Sequence, residues 1–260
     1  MAGKRRRLIP PPEEAAEEVD HISHLPDAII HHIFSFLPFK DVVKTSLLCK
    51  QWRFFWTSTP YIDISLPSKG VVSSISRALN LCTATKIEKF HVDATVSDLY
   101  INTELDQWFR FAVARKVEDV SLAFGHCYHY VPRILCKCKS LVSLRVSRCC
   151  FSREITIRWP ALKKLCLEEN FMDEDGIMKI WSGCPVLESL TLRYIITRNL
   201  RIESRSLREL VIDGLYISSL DISAPNLLSL GLSSRLVVKD FRLNGVSSLA
   251  AATCLTFPTS

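Results

Sequence analysis

Between residues 25 and 60, apolar side chains recur at helical spacing. Ile29, Ile33 and Leu37 fall at i, i+4 and i+8, and Ile30 and Phe34 widen the stripe. Leu25 and Pro26 open this helix and Pro38 stops it. A second apolar-periodic run, Asp41 to Leu48, contains no glycine, and a third carries Trp52, Phe55 and Trp56 ahead of Pro60. The pattern therefore predicts three short helices within residues 20–60. So small a unit has too little interior to cover this many large apolar groups by itself. The surplus is expected to be covered by a second protein, as when an apolar helical face docks in a partner's groove.

After Pro60 the period changes. Tyr61 to Leu66 alternates as a strand, and Val71 to Leu81 reads as a helix with Val72, Ile75 and Leu79 on one side. Beyond it a template of the form L-x-x-L-x-L-x-x-N/C recurs. Leu141/Leu144/Val146/Cys149 and Leu162/Leu165/Leu167/Asn170 fit it completely. Leu187/Leu190/Leu192, Leu207/Leu210/Ile212 and Leu227/Leu230/Leu232 keep its three apolar positions, and Ile87/Phe90/Val92 and Val117/Val120/Leu122 are looser copies. The last apolar positions (92, 122, 146, 167, 192, 212, 232) are 30, 24, 21, 25, 20 and 20 residues apart, and the last five steps are those of a leucine-rich repeat.

Each x-L-x-L-x stretch predicts a short parallel strand, with alternate residues facing the core and a concave surface. Glu104 to Ala114 and Asp173 to Trp181 are expected to return as helices, and Tyr216 to Pro225 as extended chain. Val238/Phe241/Leu243 also matches the template but lies 11 residues past Leu232, too close for a full coil. Thr253 to Phe257 is expected to form a last strand, and the segment from Arg235 to Ser260 to pack on the final repeat as a makeshift cap.

The segment from Asp20 to Pro60 resembles the F-box, in the form common in plant F-box/leucine-rich-repeat proteins. The resemblance rests on Asp20, Ile22, Ser23, Leu25-Pro26-Asp27, Ile33, Leu37-Pro38, Val43, Thr45-Ser46, Leu47-Leu48, Lys50, Trp52-Arg53 and Trp56. Cys49 and Gln51 depart from it, standing where that family usually has serine and arginine. The implied organisation is a tail (1–19), an F-box (20–60) and a leucine-rich-repeat solenoid (61–257) that is incomplete at its C-terminal end, in the α/β class.

The resemblance implies the substrate-recognition subunit of an SCF-type cullin–RING ubiquitin ligase, with no cofactor. Leu25, Pro26, Ile29, Ile33, Leu37, Pro38, Val43, Leu47, Trp52 and Trp56 would bind a Skp-type adaptor, and through it the cullin and RING subunits. The repeats would hold an unknown target protein. The alternative is a non-degradative scaffold, or a shortened decoy that occupies the adaptor without recruiting a target.

Composition narrows the picture further. Of 260 residues 48% are apolar, enough for a sizeable core, so the chain is not disordered overall. The formal charge is +6, of which Lys4-Arg5-Arg6-Arg7 supplies most. That run is either a solvated tail or a nuclear-import signal, so residence in the nucleus, the cytoplasm or both is expected. Ten cysteines with no apolar leader and no N-x-S/T acceptor point to free thiols. Cys136-Lys137-Cys138, Cys149-Cys150 and His126-Cys127-x-His129 lack the C-x2-C spacing that grips a tetrahedral zinc, so no metal is expected. No apolar stretch is long enough for a membrane helix. No G-x-S-x-G, H-E-x-x-H or phosphate-loop glycine pattern occurs, and catalytic residues are not expected.

The concave positions are mixed in sign. Arg145, Lys164, Glu168, Arg193, Glu209 and Asp213 are the candidate target-binding residues. A nucleic-acid groove would need a continuous Lys/Arg stripe with stacking aromatics, which these positions do not form.

Overall fold

The computed structural model describes residues 25–95, 101–125, 129–170, 172, 174–195, 197–214, 216–233 and 236–255. The tail 1–19, Asp20, Ile22, Ser23, His126, Cys127 and Phe257 lie outside the described residues. Proline sets both N-terminal α-helices. Pro26 and Pro38 are extended just ahead of α1 (Asp27–Phe34) and α2 (Phe39–Lys44). Their carbonyls accept the first helical hydrogen bonds, from Ile29 and Ile30 and from Asp41 and Val42. The expected third helix is instead a pair of 3₁₀ turns, Gln51–Arg53 and Phe55–Ser58, preceded by another at Thr45–Leu47. The Thr45, Thr57 and Ser58 hydroxyls each donate to the carbonyl three residues back. Such bonds compete with the α-helical ladder and favour the tighter turn.

Three further α-helices and fourteen strands follow among the described residues. The helices are α3 (Lys69–Leu81), α4 (Asn102–Ala114) and α5 (Glu174–Gly183). The strands are β1 (Tyr61–Ser65), β2 (Lys89–Ala94), β3 (Asp119–Phe124), β4 (His129–Tyr130), β5 (Ser143–Ser147), β6 (Cys149–Cys150) and β7 (Lys164–Glu168). They continue as β8 (Ser189–Arg193), β9 (Asn199–Glu203), β10 (Glu209–Asp213), β11 (Tyr216–Ser223), β12 (Ser229–Ser233), β13 (Val237–Asn244) and β14 (Ala251–Leu255). A nine-stranded parallel sheet runs β1-β2-β3-β5-β7-β8-β10-β12-β14, and β13-β11-β9 form a second parallel sheet.

The register of the long sheet carries the repeat. Phe90, Val120, Leu144, Leu165, Leu190, Leu210 and Leu230 lie side by side on successive strands. So do Val92, Leu122, Val146, Leu167, Leu192, Ile212 and Leu232. One continuous core results, running from Ile30 and Trp56 to Leu230. No single coil could bury such a face alone.

β13 explains why Val238/Phe241/Leu243 comes too soon. It pairs with β11 in the second sheet, half a coil away from the long one. The terminal segment therefore packs on the preceding repeat, with Leu236, Val238, Val246 and Leu249 against the core, but it does so as another coil, whose Phe241 and Val237 remain 46% and 50% exposed. The last strand begins at Ala251, two residues earlier than expected, because it pairs Ala251 with Ser229.

Neighbouring coils are also pinned by polar contacts inside. Asn170 is fully buried; its Oδ1 accepts from Cys149 N–H (2.6 Å) and its Nδ2 donates to the Val146 carbonyl (2.9 Å). Asn170→Ala would leave both backbone groups buried without partners, costing about 2–4 kcal/mol. A urea-unfolding midpoint will show this. The sheet ladder then continues past each strand through residues of positive φ. Arg148, Glu169 and Tyr194 (φ 51–53°) donate their N–H groups to Glu168, Arg193 and Asp213. Gly214 (φ 62°) completes the row, and a Cβ there would lie 2.4 Å from the Tyr194 ring. Glycine relieves the positive φ that the other three residues bear, and it leaves room for the ring.

The N-terminal helices are fused to the first coil. The Thr57 carbonyl accepts from Thr83 N–H (2.7 Å) and Ala84 N–H (3.2 Å), and the Pro60 carbonyl from Glu88 N–H. Arg115 locks the far side of that coil, with its guanidinium 3.9 Å from the Phe111 ring centroid and its Nε on the Ala84 carbonyl (2.9 Å).

Candidate functional site

Two surfaces answer to the sequence. On the N-terminal module the apolar stripe of α1 divides. Ile30 and Phe34 turn inward with Phe39, Val42, Trp52 and Trp56. Phe34 meets Trp52 edge-on at 5.8 Å, and Phe39 meets Trp56 at 6.3 Å. Large aromatic surfaces gain most from burial, so these rings form the module's own interior. Ile29 remains 46% exposed and Leu47 85% exposed, while Leu25, Ile33, Leu37 and Val43 are half-buried and Pro26 and Pro38 exposed. Of the ten candidate adaptor contacts, Pro26, Ile29, Pro38 and Leu47 are thus exposed and Ile33 is partly so, while Leu25, Leu37 and Val43 pack partly against the core. Trp52 and Trp56 are core residues, 4% and 8% exposed.

Three outward apolar residues were not foreseen: Phe36 (74% exposed), Leu48 (64%) and Phe54 (69%). The signal for them was the excess of large apolar groups over what so small an interior holds. These side chains add to the exposed apolar surface of the module.

The second surface is the concave side of the long sheet, with three rows of side chains along it. Lys164 and Glu209 are exposed on the row where strands begin, separated by Ser189. Arg145 is exposed on the middle row, 3.9 Å from Glu168. Glu168, Arg193 and Asp213 are consecutive on the row where strands end. Asp213 departs from expectation: it is 3% exposed and buried within the fold instead of presented to solvent. Sequence reasoning omitted the first coils, where Lys89, His91 and Asp93 extend the same face. His91 Nε2 lies 3.6 Å from Asp119 Oδ2. Burial would raise the Asp119 carboxyl, but the nearby imidazole of His91, the Ser143 hydroxyl and the charge of Lys89 together hold it below its ordinary value. Toward the C-terminal strands the face turns small and uncharged, with Thr191, Val211 and Gly231 in the middle row.

The reactive residue types have structural roles. Eight cysteines among the described residues are free. Burial pushes the thiols of Cys82 up to about 11 and of Cys136 and Cys184 up to about 12, so they stay protonated and poorly nucleophilic at neutral pH. His129, 3% exposed, stacks on Phe124 at 4.1 Å and hydrogen-bonds Asn102, and burial lowers its pKa. Among the described residues no group of three His, Cys, Asp or Glu could hold a metal ion. Among the same residues no helix is long and apolar enough to cross a membrane.

Comparison with known proteins identifies both parts of the chain. Residues 22–62 match the F-box domain model, and residues 105–257 match the model described as FBD-associated F-box protein At5g56370, LRR repeats. F-box/LRR-repeat protein 25 of Arabidopsis thaliana is 33% identical over 193 residues, covering 73% of each chain. F-box protein At5g03100 of the same plant is 35% identical over 181 residues, 69% of this chain and 58% of that protein. FBD-associated F-box protein At1g66310, also from Arabidopsis thaliana, is 31% identical over 258 residues, 92% of this chain and 58% of that one. Across the relatives it matches, the chain spans about half of their length, from 38% to 73%.

Proposed function

Since this chain belongs to the plant F-box/leucine-rich-repeat family, whose members are typically non-catalytic adaptors, we propose that it is the target-recognition subunit of an SCF-type cullin–RING ubiquitin ligase. F-box domains generally bind Skp-type adaptors. The observation that carries the reading is an outward apolar face on the F-box, fused without a flexible joint to a curved sheet. The apolar face takes the adaptor, which brings the cullin and RING subunits. The concave sheet takes the target, and its mixed charges suit a protein surface. Catalysis is then positional. The receptor holds a target lysine near a ubiquitin thioester and raises its effective concentration, with no reactive group of its own. Action in the nucleus, the cytoplasm or both belongs to the same reading.

The test is affinity purification of the tagged chain from plant cells with and without a proteasome inhibitor. A ubiquitin-modified protein that accumulates under inhibition supports the receptor; adaptor without any such protein supports the decoy. Reversing charge at two exposed concave positions, Arg145→Glu and Lys164→Glu, will release that protein while adaptor binding continues. Retention of the target by this double variant would place target binding off the concave face.

A further inference from the structure

At the seam between the F-box and the first coil lies an open cleft of about 600 Å³, lined by Leu47, Arg53, Phe54, Trp56, Leu81 and Thr83 among others. Three of these are large, apolar and exposed: Leu47 (85%), Phe54 (69%) and Leu81 (61%). Leu47 and Phe54 come from the F-box, but Leu81 ends α3 and belongs to the solenoid. The two walls cannot drift apart. Thr57, on the F-box side, accepts the Thr83 and Ala84 N–H groups, and its hydroxyl lies 3.3 Å from that of Thr83. The cleft is thus a preformed apolar notch made jointly by both parts of the chain. Arg53 is the one charged residue among its lining residues, with its guanidinium 5.6 Å from the Phe54 ring centroid.

We propose that this notch is a second contact for the same adaptor that covers the F-box, so that the footprint continues from the F-box onto the end of α3. The inference rests on the adaptor-binding reading above. Leu47 carries the continuity, since it belongs both to the outward apolar set of the F-box and to the wall of the notch. Apolar walls with a single cation specify the occupant: a helical segment of the adaptor that inserts an aliphatic or aromatic anchor and sets a carboxylate against Arg53. Shared binding by the two parts ties adaptor position to the first coil directly, and not only through the F-box.

The test measures binding of the full chain to a purified Skp-type adaptor by calorimetry, with Leu81→Gln as the variant. Leu81 lies outside the F-box and is exposed, so the thermal midpoint should not move. Affinity should fall about tenfold, the loss expected when one apolar anchor no longer leaves water. Arg53→Glu should weaken binding further at low salt than at high salt. Undiminished affinity of Leu81→Gln, beside normal wild-type binding, would overturn the notch and leave the F-box reading intact. A wild-type chain that fails to bind would overturn both.

Discussion

Adaptor binding will be lost when Ile29 and Ile33 are both replaced by alanine, while the fold survives. Both sit on the outward side of α1, and neither belongs to the buried core. Each anchor contributes about 1.5–3 kcal/mol when it leaves water, so the pair should weaken binding roughly 100-fold or more. Thermal unfolding should change far less than binding, since Ile29 is exposed and the half-buried Ile33 lies outside the buried core. Trp56→Ala makes the opposite comparison. That ring is buried against Phe39, so its loss should cost about 3–5 kcal/mol of stability and reduce binding only by unfolding the module. Undiminished binding by the double isoleucine variant would move the docking face away from α1.

The second large effect lies in the solenoid. Leu165 is 2% exposed and sits between Leu144 and Leu190 on the neighbouring strands. Leu165→Ala should cost about 2–5 kcal/mol, as truncations in close-packed cores do. Because adjacent coils share that core, protection from hydrogen exchange should fall in β5 and β8 as well as β7. Lys164, one residue earlier, points to the other side and is exposed. Lys164→Ala should change stability by less than about 0.5 kcal/mol. Equal losses from the two changes would contradict the register.

The ladder from Phe90 to Leu230 was legible because a strand with one buried face writes a two-residue alternation, and coil length writes its repeat. Val238, Phe241 and Leu243 fit the template 11 residues after Leu232, too close for a full coil, and they lie in the second sheet. In the second sheet β9 alternates as the long-sheet strands do, whereas β13 is almost wholly exposed, so the template marks a strand but not the side of the coil it occupies. Position followed only from the short spacing after Leu232. The turns at Arg148, Glu169 and Tyr194 left no sequence signal, because ordinary L-residues fill a conformation that usually selects glycine. Their backbone bonds to the next coil offset a cost of about 1–2 kcal/mol each. On the F-box, periodicity identified the amphipathic stripe, but it cannot say whether a given apolar residue is covered by its own chain or by a partner. Trp52 and Trp56 went inside for that reason, and Phe36 and Phe54 stayed out.

The hydrogen bonds from Thr83 and Ala84 to the Thr57 carbonyl have a mechanical consequence. Nine strands stacked side by side reach roughly 38 Å along the arc, at about 4.8 Å per step. A swing of about ten degrees at the joint would carry the far coil through roughly 7 Å, whereas misplacement by about 1 Å already slows a positioned reaction. The arch is a lever whose accuracy is set at its fulcrum. In the proposed receptor, the Thr57 and Pro60 carbonyls beside the F-box would thus have more leverage over where a target sits than any contact farther along the span.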